Sequence, residues 1–365
     1  MNIYLIHLLI LFAASVLALF FTPRVMNLAK SIGALDYPAE RSIHSKAVPR
    51  LGGVAIMGAF GVSIVAYIVY KLSIGDLDLT AYWQQNRALA GILLGSFAIF
   101  AVGVIDDIYD VKPMFKFGGQ LAAALITVSF GVTVDFLGSP LSETVINIPY
   151  WLGTFLAIFW IVALTNTINF IDGLDGLASG VAGISSVALY IIAIQTGRLD
   201  IALALVAMLG ALLGFLKYNF NPAKIFMGDS GSMLLGFFLG AITIQSAAKS
   251  AATVALLVPI VIMGIPIFDA AYAIWRRFVN RRPITRADKE HIHHILLHKG
   301  LTHRATVLII YGWTLVLSSV GLSMQFFGGY MRIFILTLLL PVSALLAYYS
   351  GLFDWIFGLN NKEEQ

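Results

Sequence analysis

The sequence predicts an all-α protein that crosses a membrane many times. Of its 365 residues, 59% are hydrophobic and only 12% are charged, whereas soluble domains carry about 25% charged residues. Runs of about 20 apolar residues, the length of a membrane-spanning helix, recur along the chain, and no long polar segment separates them. We therefore expect residues 1–365 to form a single integral membrane domain.

Eleven segments are long and apolar enough to be membrane helices. The predicted spans are 3–22, 51–70, 88–105, 115–134, 151–170, 177–196, 200–218, 231–248, 252–275, 305–326 and 330–350. The first segment is not preceded by Lys or Arg and is not followed by a clear cleavage site, so we interpret it as a retained helix rather than a signal peptide.

The distribution of basic residues predicts which loops face the cytoplasm. If the loop 24–50 is cytoplasmic, eighteen of the 23 Lys and Arg residues fall on that side of the cell membrane. Cytoplasmic loops carry such an excess, so we expect the N-terminus outside and the C-terminus in the cytoplasm. The segment 135–149 contains Gly138, Pro140 and Pro149 and is a candidate for a short extracytoplasmic β-hairpin.

Five polar clusters all fall in connections that this topology places in the cytoplasm. In chain order they are 44–53 (HSKAVPRLGG), Asp106-Asp107-x-x-Asp110, Asn166-x-x-Asn169-x-x-Asp172-Gly-x-Asp175-Gly, the stretch from Asn219 to Gly231, and His291-Ile-His293-His294. Carboxylates at the end of a membrane span are costly to insert and are usually functional. Their convergence on one face predicts a polar site at the boundary between membrane and cytoplasm.

The residue types in these clusters predict phosphoryl-transfer chemistry. Asp and Asn oxygens, in a chain without Cys, suit a hard cation, Mg²⁺ or Mn²⁺, rather than zinc. Mg²⁺ usually binds one or two protein carboxylates together with substrate phosphates, and nearby Lys, Arg and His suit an anionic phosphate. The location adds a second substrate, a lipid phosphate reached from the cytoplasmic leaflet.

Each cluster also has a purely structural interpretation. The structural alternatives are a loop cap for Asp106 and Asp107, helix N-caps for Asp172, Asp175 and Asp229, a solvated face for His291, His294 and His298, and an ion pair with Arg276 for Asp269. These alternatives would all have to hold independently, so the joint occurrence of the clusters favours a site. We interpret His7, His44 and His303 as incidental.

With these motifs the chain resembles the polyprenyl-phosphate N-acetylhexosamine-1-phosphate transferases, which include the WecA, TagO and MraY groups. The resemblance extends from about residue 36 to 305. It rests on Pro49-Arg50-Leu-Gly52-Gly53, Asp106-Asp107, the Asn166–Gly176 run, Phe226-Met-Gly-Asp229-Ser-Gly and the histidine cluster. The His-Ile-His-His order and the eleventh span favour the WecA and TagO side over the MraY side.

The resemblance implies a reaction. Undecaprenyl phosphate attacks the β-phosphate of UDP-N-acetylglucosamine, UMP leaves, and a lipid-linked sugar pyrophosphate enters a cell-envelope pathway such as lipopolysaccharide or teichoic acid synthesis. Another UDP-amino-sugar, such as UDP-N-acetylgalactosamine, remains an alternative donor. The resemblance also implies Mg²⁺ as cofactor, membrane lipids and no nucleic acid as partners, and a homodimer as a state that the family adopts.

The resemblance further implies roles for twelve residues. Asp229 matches the principal Mg²⁺ ligand, with Asn169 as a second ligand. The implied catalytic carboxylates are Asp106 and Asp107, a pair that deprotonates or positions the lipid phosphate, and Asp172. The implied substrate contacts are Lys46 and Asp175 for the nucleotide, Asn219 and Phe226 for the uracil, and His291, His293 and His294 for the sugar pyrophosphate.

Two other functional classes fit the sequence less well. CDP-alcohol phosphatidyltransferases need an Arg and two further Asp shortly after their first Asp-Gly pair, whereas here Leu177, Ala178 and Ser179 follow and no acid occurs before Asp200. A nucleotide-sugar transporter would place its polar groups near the membrane midplane, often within repeated broken helices. Here the polar groups lie at one face and no internal repeat is found.

Overall fold

The structure is a computed structural model, and it describes residues 2–38, 47–75, 78–138, 145–247, 257–279 and 292–327, with 330–331, 333–335, 337–339 and 341. The helices are α1 (Ile3–Ile32), α2 (Gly52–Ser73), α3 (Leu79–Gln85), α4 (Arg87–Tyr109), α5 (Pro113–Ser129), α6 (Tyr150–Ile171), α7 (Leu177–Gln195), α8 (Leu199–Asn219), α9 (Gly228–Ala247), α10 (Leu257–Ile262), α11 (Gly264–Val279), α12 (Ile292–His298) and α13 (His303–Phe326). The strands are β1 (Leu35–Asp36), β2 (Val48–Pro49), β3 (Phe136–Gly138) and β4 (Val145–Asn147).

The described part of the chain is mostly helical, as the composition predicts. Seven of its helices are long and apolar enough to cross a membrane, namely α1, α2, α4, α6, α7, α8 and α13. These are the helices of a multi-pass membrane protein. The predicted total of eleven spans stays a prediction, since most of the segment 330–350 lies outside the described residues.

Several helices differ from the predicted spans at their ends. Helix α1 continues to Ile32 and stops where Gly33 takes a left-handed conformation with φ 77°. Helix α5 is only 17 residues long and ends before Gly131, which has φ 92°. The predicted span 252–275 contains a break between α10 and α11, because Pro266 has no N–H to donate to the carbonyl four residues earlier.

Helix α9 forms the centre of the bundle. Every residue from 230 to 246 is buried, and α9 packs against α2, α4 and α6. Helix α1 packs along α8, where a Cβ at Gly210 or Gly214 would lie 2.4 or 2.3 Å from a backbone carbonyl oxygen of α1. Small residues allow such close backbone approach in membrane proteins.

Two short strand pairs complete the described fold. Strands β1 and β2 are antiparallel, with Leu35 opposite Pro49 and Asp36 opposite Val48. Strands β3 and β4 are also antiparallel, with Leu137 opposite Ile146. The second pair lies in the segment for which a hairpin was predicted, and its extracytoplasmic location stays a prediction.

Seven helices have one end at the same place. Helices α4, α6 and α8 end there, and α2, α7, α9 and α13 begin there, each contributing residues in or next to its terminal turn to one cavity. The bundle therefore gathers short polar connections from distant parts of the sequence at one end, while its apolar lengths pack against each other.

Candidate active site

The cavity at these helix ends has a volume of about 700 Å³. Nine of the twelve residues predicted for the site line it, namely Asp106, Asp107, Asn169, Asp172, Asp175, Asn219, Phe226, Asp229 and His294. Lys46 and His291 lie outside the described residues, and His293 is buried beside the cavity with 2% of its surface exposed. The convergence predicted from the topology is therefore present for the described residues.

Two carboxylates of the cavity converge on one ammonium group. Lys116 Nζ lies 2.6 Å from Asp106 Oδ2 and 2.6 Å from Asp229 Oδ2. Asn169 Nδ2 donates to Asp229 Oδ1 at 3.0 Å. Burial raises the pKa of Asp229, but the charge and hydrogen bond of Lys116 outweigh it and hold the pKa below its usual value. Asp229 is therefore an anion held in place from two sides.

Asp107 has a different environment from its neighbour Asp106. Its Oδ1 accepts a hydrogen bond from the backbone N–H of Asp229 at 2.8 Å, and its Oδ2 accepts one from the N–H of Ser230 at 3.1 Å. Only 3% of Asp107 is exposed. The carboxylate therefore binds the first turn of α9, where N–H groups have no partner within the helix.

The loop between α6 and α7 brings two further carboxylates to the cavity. Asp175 Oδ2 accepts hydrogen bonds from Asn221 Nδ2 at 2.8 Å and from the N–H of Ala223 at 3.0 Å, and so anchors the turn after α8. Burial, and then the charges of Asp229, Asp107 and Asp175, raise the pKa of Asp172 well above its usual value. A cation near these carboxylates would relieve their mutual repulsion.

Asn166, the first residue of the same run, serves the packing of helices. Its Nδ2 donates to Gln120 Oε1 at 2.7 Å, and Gln120 Nε2 donates back to its Oδ1 at 3.2 Å. This reciprocal pair joins α6 to α5 one helical turn after Lys116. The two amide side chains of the run therefore have different roles. Asn166 makes a structural contact between helices, whereas Asn169 contacts a carboxylate of the cavity.

Asn219 and Phe226 also line the cavity. Asn219 Oδ1 accepts from Ser179 Oγ at 2.9 Å, and its Nδ2 donates to the carbonyl of Ile225 at 3.0 Å. The N–H of Phe226 donates to the carbonyl of Pro49 at 2.8 Å, and its own carbonyl accepts from the N–H of Gly52 at 3.0 Å. The Pro-Arg-Leu-Gly-Gly motif thus fixes the backbone that presents Phe226.

The histidines reach the site through the short helix α12. A Cβ at Gly173 would lie 2.5 Å from His293 Nε2, so His293 packs directly on the loop that carries Asp172. His294 lines the cavity itself. The N–H of Ile292 donates to Asp269 Oδ1 at 2.8 Å, which ties the start of α12 to α11.

The structure adds residues that sequence reasoning missed. Asp36 and His303 line the cavity, so the interpretation of His303 as incidental does not fit its position. Arg50, which the sequence places in a polar cluster but without a role of its own, lines it too. From the sequence, Lys116 has no assigned role beyond its charge. A signal for Lys116 was available, because a lysine within a predicted span, here 115–134, is itself costly and usually functional.

Comparisons with known proteins show which family this chain resembles. Residues 89–247 match the family model of glycosyl transferase family 4. A probable undecaprenyl-phosphate N-acetylglucosaminyl 1-phosphate transferase of Bacillus subtilis is 36% identical over 349 residues, which are 95% of this chain and 93% of the relative. The chain belongs to the polyprenyl-phosphate N-acetylhexosamine-1-phosphate transferase family. The family membership expected from the motifs is confirmed.

Two further relatives extend the comparison. The transferase is 34% identical over 335 residues to a decaprenyl-phosphate N-acetylglucosaminephosphotransferase of Mycobacterium tuberculosis, covering 86% of this chain and 81% of the relative. It is 27% identical over 325 residues to an undecaprenyl-phosphate alpha-N-acetylglucosaminyl 1-phosphate transferase of Escherichia coli, covering 87% and 82%. The region 89–247 of this transferase carries five of the six carboxylates that line the cavity, from Asp106 to Asp229.

Proposed function

We propose that this transferase moves N-acetylglucosamine 1-phosphate from UDP-N-acetylglucosamine to undecaprenyl phosphate and releases UMP. All three relatives are named for transfer of an N-acetylglucosamine phosphate to a polyprenyl phosphate, undecaprenyl in two and decaprenyl in one. The observation that carries the proposal is that the carboxylates of Asp106 and Asp229 both contact the ammonium group of Lys116, in a cavity formed by helix ends. Such a site suits two substrates that both carry phosphate.

The donor set at this position fits Mg²⁺. Lys116 shows that the two carboxylates accommodate a positive charge between them, and both are oxygen ligands of the kind that Mg²⁺ prefers. Among the described residues no group of three or more His, Cys, Asp or Glu is arranged around a metal position, in keeping with an ion that substrate phosphates complete. We propose Asp229 as the principal ligand, with Asp106 beside it.

Asn169 contributes to the same position. Its amide nitrogen donates to Asp229 Oδ1 and to Ser232 Oγ, at 3.0 and 2.8 Å, so it orients the ligand carboxylate and lines the cavity as a further candidate ligand. When bound, Mg²⁺, or Mn²⁺ in its place, would neutralise charge on the donor pyrophosphate. The protein's own part is to hold these groups in a fixed arrangement.

The remaining residues sort into a donor side and an acceptor side. On the donor side we propose Asp175, Asn219 and Phe226, together with Lys46, for the uridine, and the predicted histidines for the sugar pyrophosphate. On the acceptor side we propose that Asp106 deprotonates or positions the lipid phosphate, with Asp172 as a further catalytic carboxylate. An oxygen of the lipid phosphate then bonds to the β-phosphorus, and the bond between that phosphorus and the oxygen of the departing UMP breaks.

Two routes satisfy this balance of bonds. The lipid phosphate attacks the donor directly, or a carboxylate first takes the sugar phosphate and passes it on. Exchange of labelled UMP into UDP-N-acetylglucosamine without lipid would support the second route. The absence of such exchange in an enzyme active with lipid would support direct attack.

The orientation in the membrane is part of the proposal. We propose eleven spans, the N-terminus and the β3–β4 pair outside, and the cavity at the cytoplasmic face, supported by the eighteen basic residues on that side. A homodimer is proposed on the resemblance to the family alone. Nucleotide sugars are made in the cytoplasm, so this orientation gives the donor direct access to the cavity.

The direct test is release of UMP by the purified protein. UDP-N-acetylglucosamine, UDP-N-acetylgalactosamine and a 6-deoxy amino-sugar analogue are each incubated with Mg²⁺, with or without undecaprenyl phosphate. We expect UMP only when the lipid is present, and most with UDP-N-acetylglucosamine. Faster release from another donor would change the sugar, and no release from any donor would favour a transporter.

A further inference from the structure

We infer that Asp107 is a positioning residue, which caps helix α9 and thereby aims Asp229, and that Asp106 is the member of the pair that faces the reacting groups. This inference rests on the proposed function, because it assigns Asp107 a part in that reaction. It departs from the expectation that both carboxylates of the pair act on the lipid phosphate.

The hydrogen bonds of the two side chains carry the inference. Both carboxylate oxygens of Asp107 are used by α9, one on the N–H of Asp229 and one on the N–H of Ser230. In contrast, Asp106 directs Oδ2 toward Lys116 at 2.6 Å and uses Oδ1 for the N–H of Val111 at 3.0 Å. Adjacent residues of a helix point about 100° apart, so the two acids face different neighbours.

The backbone around Asp107 leaves room for this contact and little else. Gly228 has φ 71°, and a Cβ there would lie 2.5 and 2.6 Å from the two carboxylate oxygens of Asp107. On the other side, Arg50 Nε donates to the Asp107 carbonyl at 3.0 Å. A Cβ at Gly103, one helical turn earlier in α4, would lie 2.5 Å from Ser230 Cα. The glycines therefore let α4 and the first turn of α9 meet in direct contact.

A carboxylate is favoured at this position because it faces the N-terminal end of α9. The first N–H groups of a helix lack partners within it, and the helix dipole favours a negative charge at that end. Asp and Asn are both good capping residues, whereas Ala caps poorly. A proton taken from a substrate would neutralise Asp107 and so weaken its charge-assisted bonds to the first turn of α9.

The experiment compares three variants, Asp107→Asn, Asp107→Ala and, as the matched control, Asp106→Asn. An amide keeps only one of the two acceptor oxygens, so we expect Asp107→Asn to lose part of kcat and Asp107→Ala, which keeps neither oxygen, to fall at least about tenfold further. Asp106→Asn loses a group of the reaction, and we expect kcat to fall at least about 10²-fold.

A second measurement reads the cap without any turnover. Hydrogen–deuterium exchange of the peptide that contains 226–231, in detergent and without divalent metal, reports the first turn of α9. We expect the fastest exchange in Asp107→Ala, an intermediate rate in Asp107→Asn, which keeps one acceptor oxygen, and a rate close to the parent in Asp106→Asn.

The outcomes separate the two proposals. If Asp107→Asn is as inactive as Asp107→Ala while its α9 peptide exchanges like the parent, Asp107 belongs to the reaction chemistry and the inference is overturned. Unchanged exchange in Asp107→Ala would also overturn it. If the parent releases no UMP with any donor, the proposed function fails, and the exchange data still decide whether Asp107 caps α9.

Discussion

Asp229 makes hydrogen bonds to three other residues at the cavity. Its carboxylate accepts from Lys116 and Asn169, and its backbone N–H donates to Asp107. Asn at this position keeps the size of the side chain but removes the charge that a hard cation needs. We expect Asp229→Asn to abolish UMP release while the protein remains folded, as checked by size-exclusion chromatography and thermal unfolding.

The matched control for this variant is Asp110→Asn. Asp110 ends α4 in a left-handed conformation that Asn also tolerates, and its side chain is exposed outside the cavity. We expect full activity from this control. Normal turnover by Asp229→Asn would remove Asp229 from the metal site.

Asp172 shows the cost of gathering carboxylates in one cavity. Its pKa is raised well above the ordinary 3.8 by burial and by neighbouring acids, so the folded protein holds this proton more tightly than the unfolded chain does. Stability is therefore lost as the pH rises through the range between the two pKa values. We expect Asp172→Asn, which cannot ionise, to unfold at a higher temperature than the parent at neutral pH.

The check is a series of melting temperatures in detergent without divalent metal, between about pH 4 and pH 8. The gain of Asp172→Asn over the parent should grow as the pH rises and should vanish near the acidic end. Asp110→Asn, at an exposed site, should show no such trend. A gain that is absent at neutral pH would mean that Asp172 carries no electrostatic cost in the fold.

At the scale of elements, the junction of α2 with α9 depends on backbone contact. A Cβ at Gly53 would lie 2.3 Å from the backbone N of Gly231, whereas nothing lies within 4 Å of a Cβ at Gly61 in the same helix. Overpacking of this kind costs about 1–3 kcal/mol. We expect Gly53→Ala to lower both the melting temperature and the rate of UMP release.

Gly61→Ala is the control for the change of residue type itself, because it adds the same methyl group to α2 in open space. We expect it to behave like the parent in both measurements. Equal behaviour of the two variants would mean that α2 moves away from α9 without consequence for the loop that presents Phe226.

Helix existence could be predicted from the sequence more completely than helix ends. Apolar runs fix the central lengths of α2, α6, α7 and α8, because any other conformation would leave backbone groups unpaired in lipid. The ends depend on local features that hydropathy does not report, such as the left-handed glycine after α1. The break before Gly264 is similar, since the residues around it are apolar and only Gly264 and Pro266 mark the interruption.

The candidate site shows the same division. The acids and amides could be predicted because each is costly at a membrane span and belongs to a recognisable motif. Their partners could not, since the ammonium of Lys116 reaches two acids, one of which, Asp229, lies 113 residues away. Asp106 and Asp107 could not be distinguished from their adjacent positions in the chain, because their difference arises from which helix each one contacts.

At the scale of the whole molecule, one end of the bundle collects the polar connections, and the fold then determines which loops share a side. The chain has no Cys, so single cysteines can report the side of each loop without background. Lys224, in the turn after α8, is exposed at the cavity end, and Thr80, in α3 between α2 and α4, is exposed at the other end.

We expect a membrane-impermeant maleimide to label Thr80→Cys but not Lys224→Cys in intact spheroplasts, and both after permeabilisation. The reason is that an excess of basic residues favours a cytoplasmic location, and the proposed orientation therefore places the cavity end on the side that supplies the nucleotide donor. The cysteine-free parent should remain unlabelled. Labelling of Lys224→Cys from outside, with Thr80→Cys protected, would invert the orientation and place the cavity where no nucleotide sugar is supplied.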